Sequence, residues 1–308
     1  MDLGAPACHI PRMSTLEFIK AHGLGNDFVI VDTRRNGRVI DAASAARIAD
    51  RRRGVGFDQL IVIAAPNGAS GTVAPNGARQ SAAGGLADAR LIILNADGSE
   101  AEACGNGTRC AAWLLMREFG RDHLLLETEA GLLDAEKLAD GRVSVDMGIA
   151  KHDWRDIPLG RAMDTLHLDL TRGPLADPVA VNIGNPHCVF FVPDAETVDI
   201  ETLGPQIERD RLFPERTNVE VASILAPDRI RMRVWERGVG VTLACGSGAC
   251  ATLVAAARRK LTGTRATVVV DGGELEIEWL KDGHVRMTGP VAISFAGTLD
   301  PSLLGEPR

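Results

Sequence analysis

Ala103-Cys104-Gly105-Asn106-Gly107 recurs as Ala244-Cys245-Gly246-Ser247-Gly248, with one small polar residue exchanged for another. Each pentad opens a stretch with helical spacing, which predicts helices over 105–118 and 246–260. Nine positions before each cysteine a polar residue ends an apolar run: Asn95 in one case, Glu236 in the other. Further upstream, Gly25-Asn26 and Gly184-Asn185 each lead into an apolar strand. A carboxamide follows 33 positions after each asparagine, Gln59 and Asn218. Three correspondences in the same order mark an internal duplication of long period. They predict two similar domains facing each other, with equivalent elements lining one cleft.

The rest of the chain fits an α+β fold rich in strands. Phe28–Val31, Leu60–Ile63, Leu91–Leu94, Val189–Val192 and Ile230–Trp235 read as strands, and short strands dominate 124–147. Ser44–Arg52 reads as a helix. The segment 66–88, with Ala-Pro-Asn-Gly-Ala twice, reads as an exposed loop, and residues 1–12 as an N-terminal extension. The predicted domains are 13–148 and 149–289, divided near Gly148–Pro158.

Composition bounds the function. With 45% hydrophobic and 24% charged residues, the 308-residue chain is of ordinary globular type. A net charge of −7 without a basic run argues against nucleic acid as a partner. No apolar run approaches the ~20 residues of a membrane helix, and the expected location is cytoplasmic. Six cysteines in a chain of this length argue against a disulfide scaffold.

The cysteines carry the chemistry. At a helix start the free N–H groups and the dipole favour a thiolate, while the adjacent glycines let backbone amides approach an anion. Two such starts across one cleft place a thiol on either side of a carboxylate-bearing carbon. Cys110 and Cys250 point away from their neighbours, since offsets of six and five residues rotate by about 240° and 140° on a helix. They read as core, and Cys8 as a surface thiol. A metal site is not expected from seven scattered histidines. A Gly-Asn pair is ordinarily a turn, and a single histidine such as His22 ordinarily a core residue. The ordered constellation gives the other members a function.

The motifs Ala21–Phe28, Gly56–Gln59, Asn95–Gly98, 103–107, Asn185–Cys188, Arg216–Asn218, Glu236–Gly238 and 244–248 together resemble the diaminopimelate epimerase family, over about residues 13–300. The resemblance implies two pseudo-symmetric domains, each a β-barrel-like sheet wrapped around a central helix, with a C-terminal strand (290–308) returning to the first. It implies a cofactor-independent epimerase interconverting LL- and meso-diaminopimelate for lysine and peptidoglycan precursors, with a homodimer as the candidate assembly. Cys104 and Cys245 would be the acid and base, Cys104 donating and Cys245 accepting from LL substrate to meso. The amides of Gly105, Asn106, Gly246 and Ser247 would hold the reacting carboxylate, and Asn26 and Gln59 the reacting ammonium. Asn95, Asn185, Asn218 and Arg237 would meet the distal end. Glu236 would pair with an ammonium and tune a thiol; His187 would orient or deprotonate Cys104. Two departures stand out: Val241, where members often carry Glu, and the long 66–88 loop. The rival readings are a proline or hydroxyproline racemase, a phenazine-pathway type of isomerase, and a non-enzymatic ligand-binding or redox-sensing protein.

Overall fold

The computed structural model describes residues 16–67, 87–101, 104–129 and 131–305. The extension with Cys8 and most of the 66–88 loop lie outside the described residues. The first half runs β1 (Leu16–Gly23), β2 (Asn26–Asp32), α1 (Ala42–Ala49), β3 (Gln59–Ala64), β4 (Ala89–Asn95), α2 (Gly105–Phe119), β5 (His123–Thr128), β6 (Gly131–Lys137) and β7 (Val143–Ile149). The second runs β8 (Thr171–Arg172), β9 (Leu175–Ala176), β10 (Val179–Asn182), β11 (Pro186–Phe191), α3 (Ile200–Glu208), β12 (Asn218–Ala226) and β13 (Arg229–Glu236). It continues through β14 (Gly240–Val241), α4 (Gly246–Arg258), β15 (Arg265–Val270), β16 (Gly273–Trp279), β17 (His284–Gly289) and β18 (Ala292–Leu299).

The duplication is written in the strand pairing. In the first half β1–β2 is antiparallel, β2–β3 parallel, β3–β4 antiparallel, β4–β5 parallel, then β5–β6 and β6–β7 antiparallel. The second half repeats this sequence through β10, β11, β12, β13, β15, β16 and β17. Register agrees as well: Phe28 pairs with Gln59 and His187 with Asn218. β7 and β17 pair antiparallel, fusing the halves into one 16-stranded sheet. β18 leaves the second half and pairs with β1.

Each half curls around its own helix. α2 packs on β1–β3 and β5–β7, α4 on β10–β13 and β15–β17. The two central helices have small residues where they enter, and both are buried for most of their length. Apolar side chains of both helices and both halves of the sheet form one continuous core, with aliphatic residues doing most of the filling. Cys110 and Cys250 belong to it, as expected. A second cluster packs α3 against the outer face of β11 and β12, and a third packs α1 against β2 and β3.

The turn between β1 and β2 is a two-residue hairpin, with Leu24 and Gly25 both at positive φ (58° and 86°). His22 Nδ1 accepts from the Gly25 N–H at 3.3 Å, a turn-capping role for a half-buried ring rather than a core one. Asn26, the first residue after this hairpin, is thereby fixed at the cleft edge.

Candidate active site

Cys104 and Cys245 are the N-caps of α2 and α4. Each sulfur accepts from the third helical N–H, Gly107 at 3.3 Å and Gly248 at 3.4 Å. The two preceding amides in each turn, those of Gly105 and Asn106 and of Gly246 and Ser247, have no intrahelical acceptor to use. These two sets of free donors meet across a cleft of about 190 Å³, lined by both cysteines together with Asn26, Gln59, Asn95, Gly105, Asn185, Asn218, Glu236, Arg237, Gly246 and Ser247. Asn106 lies beneath this lining. Its Nδ2 donates to Asn26 Oδ1 at 3.3 Å and, across the halves, to Ala244 O at 3.1 Å.

The carboxamides hold one another in fixed orientations. Gln59 Nε2 donates to Asn95 Oδ1 at 3.1 Å, and Asn95 Nδ2 to Ser99 Oγ at 3.1 Å. Asn26 Nδ2 donates to Asp58 Oδ2 at 3.0 Å, and Asp58 is held in turn by Arg51 and the Asp27 N–H. Asn218 spans Pro186 O and the Arg237 N–H, at 3.0 and 2.9 Å, and so sets the backbone of the Glu236–Arg237 turn. The Arg237 guanidinium touches only Glu215 O among the protein hydrogen bonds described, at 3.3 Å.

Glu208 was not singled out from the sequence. It is 1% exposed, accepts from the Trp235 indole at 2.8 Å and from the Gly238 N–H at 3.1 Å, and so grips the turn on both sides of Glu236 and Arg237. Glu100, Ala101, Val239 and Ala244 also line the cleft unforeseen. Glu100 follows a turn with no motif of its own, so no sequence signal marks it.

Two expectations change. His187 does not serve Cys104. The ring is wholly buried, with Nδ1 2.7 Å from Glu220 Oε1 and Nε2 2.7 Å from Asn185 Oδ1. Both nitrogens are occupied within the second half, which leaves none for the first-half thiol. The ring instead fixes Asn185 so that its Nδ2 is the end free for the cleft. Nor does the cleft favour thiolates. Burial pushes the Cys104 thiol up to about 12, against the opposing Gly107 N–H, with the Glu236 charge adding to the rise. Burial, then the Glu236 and Glu220 charges, push Cys245 well above the usual thiol range, despite donors from Ser247 and Gly248. Desolvation outweighs the helix start at both sulfurs.

Glu236 is raised to about 7, first by burial and then by the charges of Asp58 and Glu220, while hydrogen bonds from Thr242 and Cys245 oppose the rise. A carboxyl group poised near neutrality beside a thiol is suited to take its proton. Val241 pairs with Trp235 on the short β14 and is 40% exposed; its side chain supplies no polar group to this network.

The architecture defines a two-lobed class with known members. A hydroxyproline epimerase from Agrobacterium vitis superposes with a TM-score of 0.65 at 15% identity, covering 96% of each chain. A phenazine biosynthesis protein of the PhzF family from Bacillus anthracis gives 0.62 at 15% identity, over 94% of this chain and 100% of that one. At such identities the likeness is one of fold. The family follows from sequence: the diaminopimelate epimerase model matches residues 18–152 and 179–294. Diaminopimelate epimerases of Rhodospirillum centenum and Acidiphilium cryptum are 55% and 53% identical over 287 residues, 93% of this chain and 93% and 97% of theirs. The chain belongs to the diaminopimelate epimerase family.

Proposed function

We propose that this protein epimerises LL-2,6-diaminopimelate to the meso form without a cofactor, by proton transfer between Cys104 and Cys245 on opposite faces of the α-carbon. The observation that carries the reading is the pair of cysteine N-caps sharing one cleft with Glu236 and Arg237. The α-proton of an amino acid is weakly acidic, so its removal requires strong support for the developing carbanion. The four free amides of the helix starts provide it at the carboxylate. Gln59 Oε1, left open by the bond from Nε2 to Asn95, accepts from the reacting ammonium. Glu236 takes the thiol proton of Cys245, and the carboxylate so neutralised no longer opposes a thiolate there. Arg237 offers the two-pronged contact a distal carboxylate needs, with Asn185 Nδ2 as a further donor. Glu100 and Asn95 accept from the distal ammonium. A substrate carrying two zwitterionic ends matches this distribution; proline has no second end to satisfy it.

The halves divide near 148–149 and 289–290, with β18 belonging to the first. We assign a cytoplasmic location and a homodimer. The dimer is supported by Ile293 and Phe295 standing 39% and 51% exposed on β18, a sheet-edge strand. No helix among the described residues is long and apolar enough to cross a membrane. The test is incubation with LL-diaminopimelate in D2O with nothing added, following deuterium and configuration at the α-carbon by NMR. Inversion with solvent deuterium at one centre is expected; unchanged substrate refutes the reading.

A further inference from the structure

Arg109 is an anomaly in this core. It lies on α2, five residues past Cys104, and is wholly buried. Its one side-chain acceptor among the described residues is a thioether, Met287 Sδ, 3.3 Å from Nη1. Nε and Nη2 are buried with no partner. A guanidinium taken out of water is costly unless an anion compensates it, and among the described residues no ion pair of Arg109 with a carboxylate is recorded.

Its position gives the reason. Side chains of a helix lean toward its N-terminus, and the guanidinium reaches back along the first turn. Nη2 sits 2.9 Å from where a Cβ on Gly23 would stand, beside the Asn106 Cβ that presses on the same point. Gly289, on β17, is vacated of side chain against the guanidinium carbon at 3.0 Å. Met287, which takes the hydrogen bond, lies with its sulfur 2.8 Å from a Cβ position on Gly246. The cation is therefore packed under the meeting point of the two helix starts, close to the Cys104 turn. Its charge adds to the positive end of α2 rather than opposing it.

We propose that Arg109 is the buried counter-cation of the cleft, a positioning residue whose charge stabilises the thiolate of Cys104. The inference deepens the two-thiol reading and rests on it for its catalytic consequence. The charged and titratable groups acting on Cys104 are Glu236, which opposes its ionisation, Cys110, and Arg109, which favours it. Those acting on Cys245 are Glu236 and Glu220, both of which oppose its ionisation. The duplicated fold is thus electrically lopsided. Beneath Gly107 the neighbours are Ile61 and Phe28, whereas beneath Gly248 the neighbour is Glu220, bonded to His187. On the Cys104 side a buried cation therefore adds to the Gly107 N–H in favouring the thiolate.

The experiment compares site-resolved iodoacetamide alkylation of the intact protein at pH 7–9, read by peptide mass spectrometry, for wild type, Arg109→Met and Arg109→Lys. Alkylation reports thiolate fraction, and a change of one in pKa is a tenfold change in that fraction. In Arg109→Met the Cys104 rate falls about tenfold, while Cys245 changes less than about threefold; Arg109→Lys retains most of the Cys104 rate. Should Arg109→Met fold poorly by circular dichroism, Arg109→Gln carries the same expectation. Three results overturn the proposal: an unchanged Cys104 rate in the neutral variants; an equal loss in Arg109→Lys, which would make the role one of packing; or a raised KM with unchanged Cys104 alkylation, which would assign the charge to the substrate carboxylate. The two-thiol reading fails separately, through activity retained by Cys104→Ser.

Discussion

Glu236→Gln separates what the active site needs from what the fold prefers. The carboxyl is raised from 4.5 to about 7 in the folded protein, so between those values the folded state holds a proton that the unfolded chain has released. Below pH 4.5 both states are protonated and the group is neutral in its effect. Stability therefore falls as pH rises from 4.5 to 7, and the loss is complete above 7, where the native protein carries an ionised carboxyl its surroundings disfavour. At about 1.36 kcal/mol per unit of pKa, the ceiling is ~3 kcal/mol. Glu236 keeps partial exposure, and screening by solvent brings the expectation to about 1–2 kcal/mol. Glutamine has the same shape and keeps an acceptor for the Thr242 hydroxyl, but carries no charge. Urea melts of the substrate-free protein at pH 5 and pH 8 should therefore show the variant ~1–2 kcal/mol more stable than wild type at pH 8 and nearly equal at pH 5, while epimerisation drops on the order of 10²- to 10⁴-fold for want of a base. A stability gap of the same size at both pH values, or a variant weaker than wild type at pH 8, would refute the reasoning.

Cys104→Ser and Cys245→Ser should each lose on the order of 10²–10⁴ in rate with the fold intact; activity within tenfold of wild type in either would end the two-thiol mechanism. Arg237→Lys should raise KM for diaminopimelate strongly, because a point ammonium cannot replace a planar fork, and unaltered KM in steady-state assays would remove Arg237 from the distal site. Gly248→Ala places a Cβ 2.8 Å from Glu220 Oε1 and 3.2 Å from Cys245 Sγ, so it should destabilise by about 1–3 kcal/mol. Gly263→Ala, with nothing within 4 Å, is the control and should be neutral in the same denaturant melt.

The features written as local patterns were the ones legible in advance. The cysteine pentads placed both central helices to within a residue or two of their ends, 105–119 and 246–258, because a glycine-rich start followed by small apolar residues has few other readings. Asn26, Gln59, Asn185 and Asn218 were found through their repeated spacing, which the parallel pairing of β2 with β3 and of β11 with β12 makes a structural necessity. α3 escaped notice because Pro205 sits inside it and interrupts the pattern. Glu208 and Glu220 read as ordinary charged residues, and only the folded chain brings Trp235 and Gly238 to one and His187 to the other. The motif of His187 marks it as special, while its bond to Glu220 depends on a strand that begins 31 residues later in the chain. Spacing does not reveal burial, and burial pushes both thiols up rather than down.

The return of β18 to β1 has a consequence for how the molecule is made. Leu16 pairs with Leu299, so the first strand of the described chain acquires its neighbour only after almost everything else has been synthesised. Until then the first half carries an open edge of unpaired backbone, and its completion waits on a contact of very high sequence separation, the slowest kind to form. During translation the early half must therefore remain an unfinished sheet while the second half emerges, which makes it the half more exposed to aggregation. A premature stop shortly before β18 would spare every residue lining the cleft and still leave the nascent protein exposed along that edge.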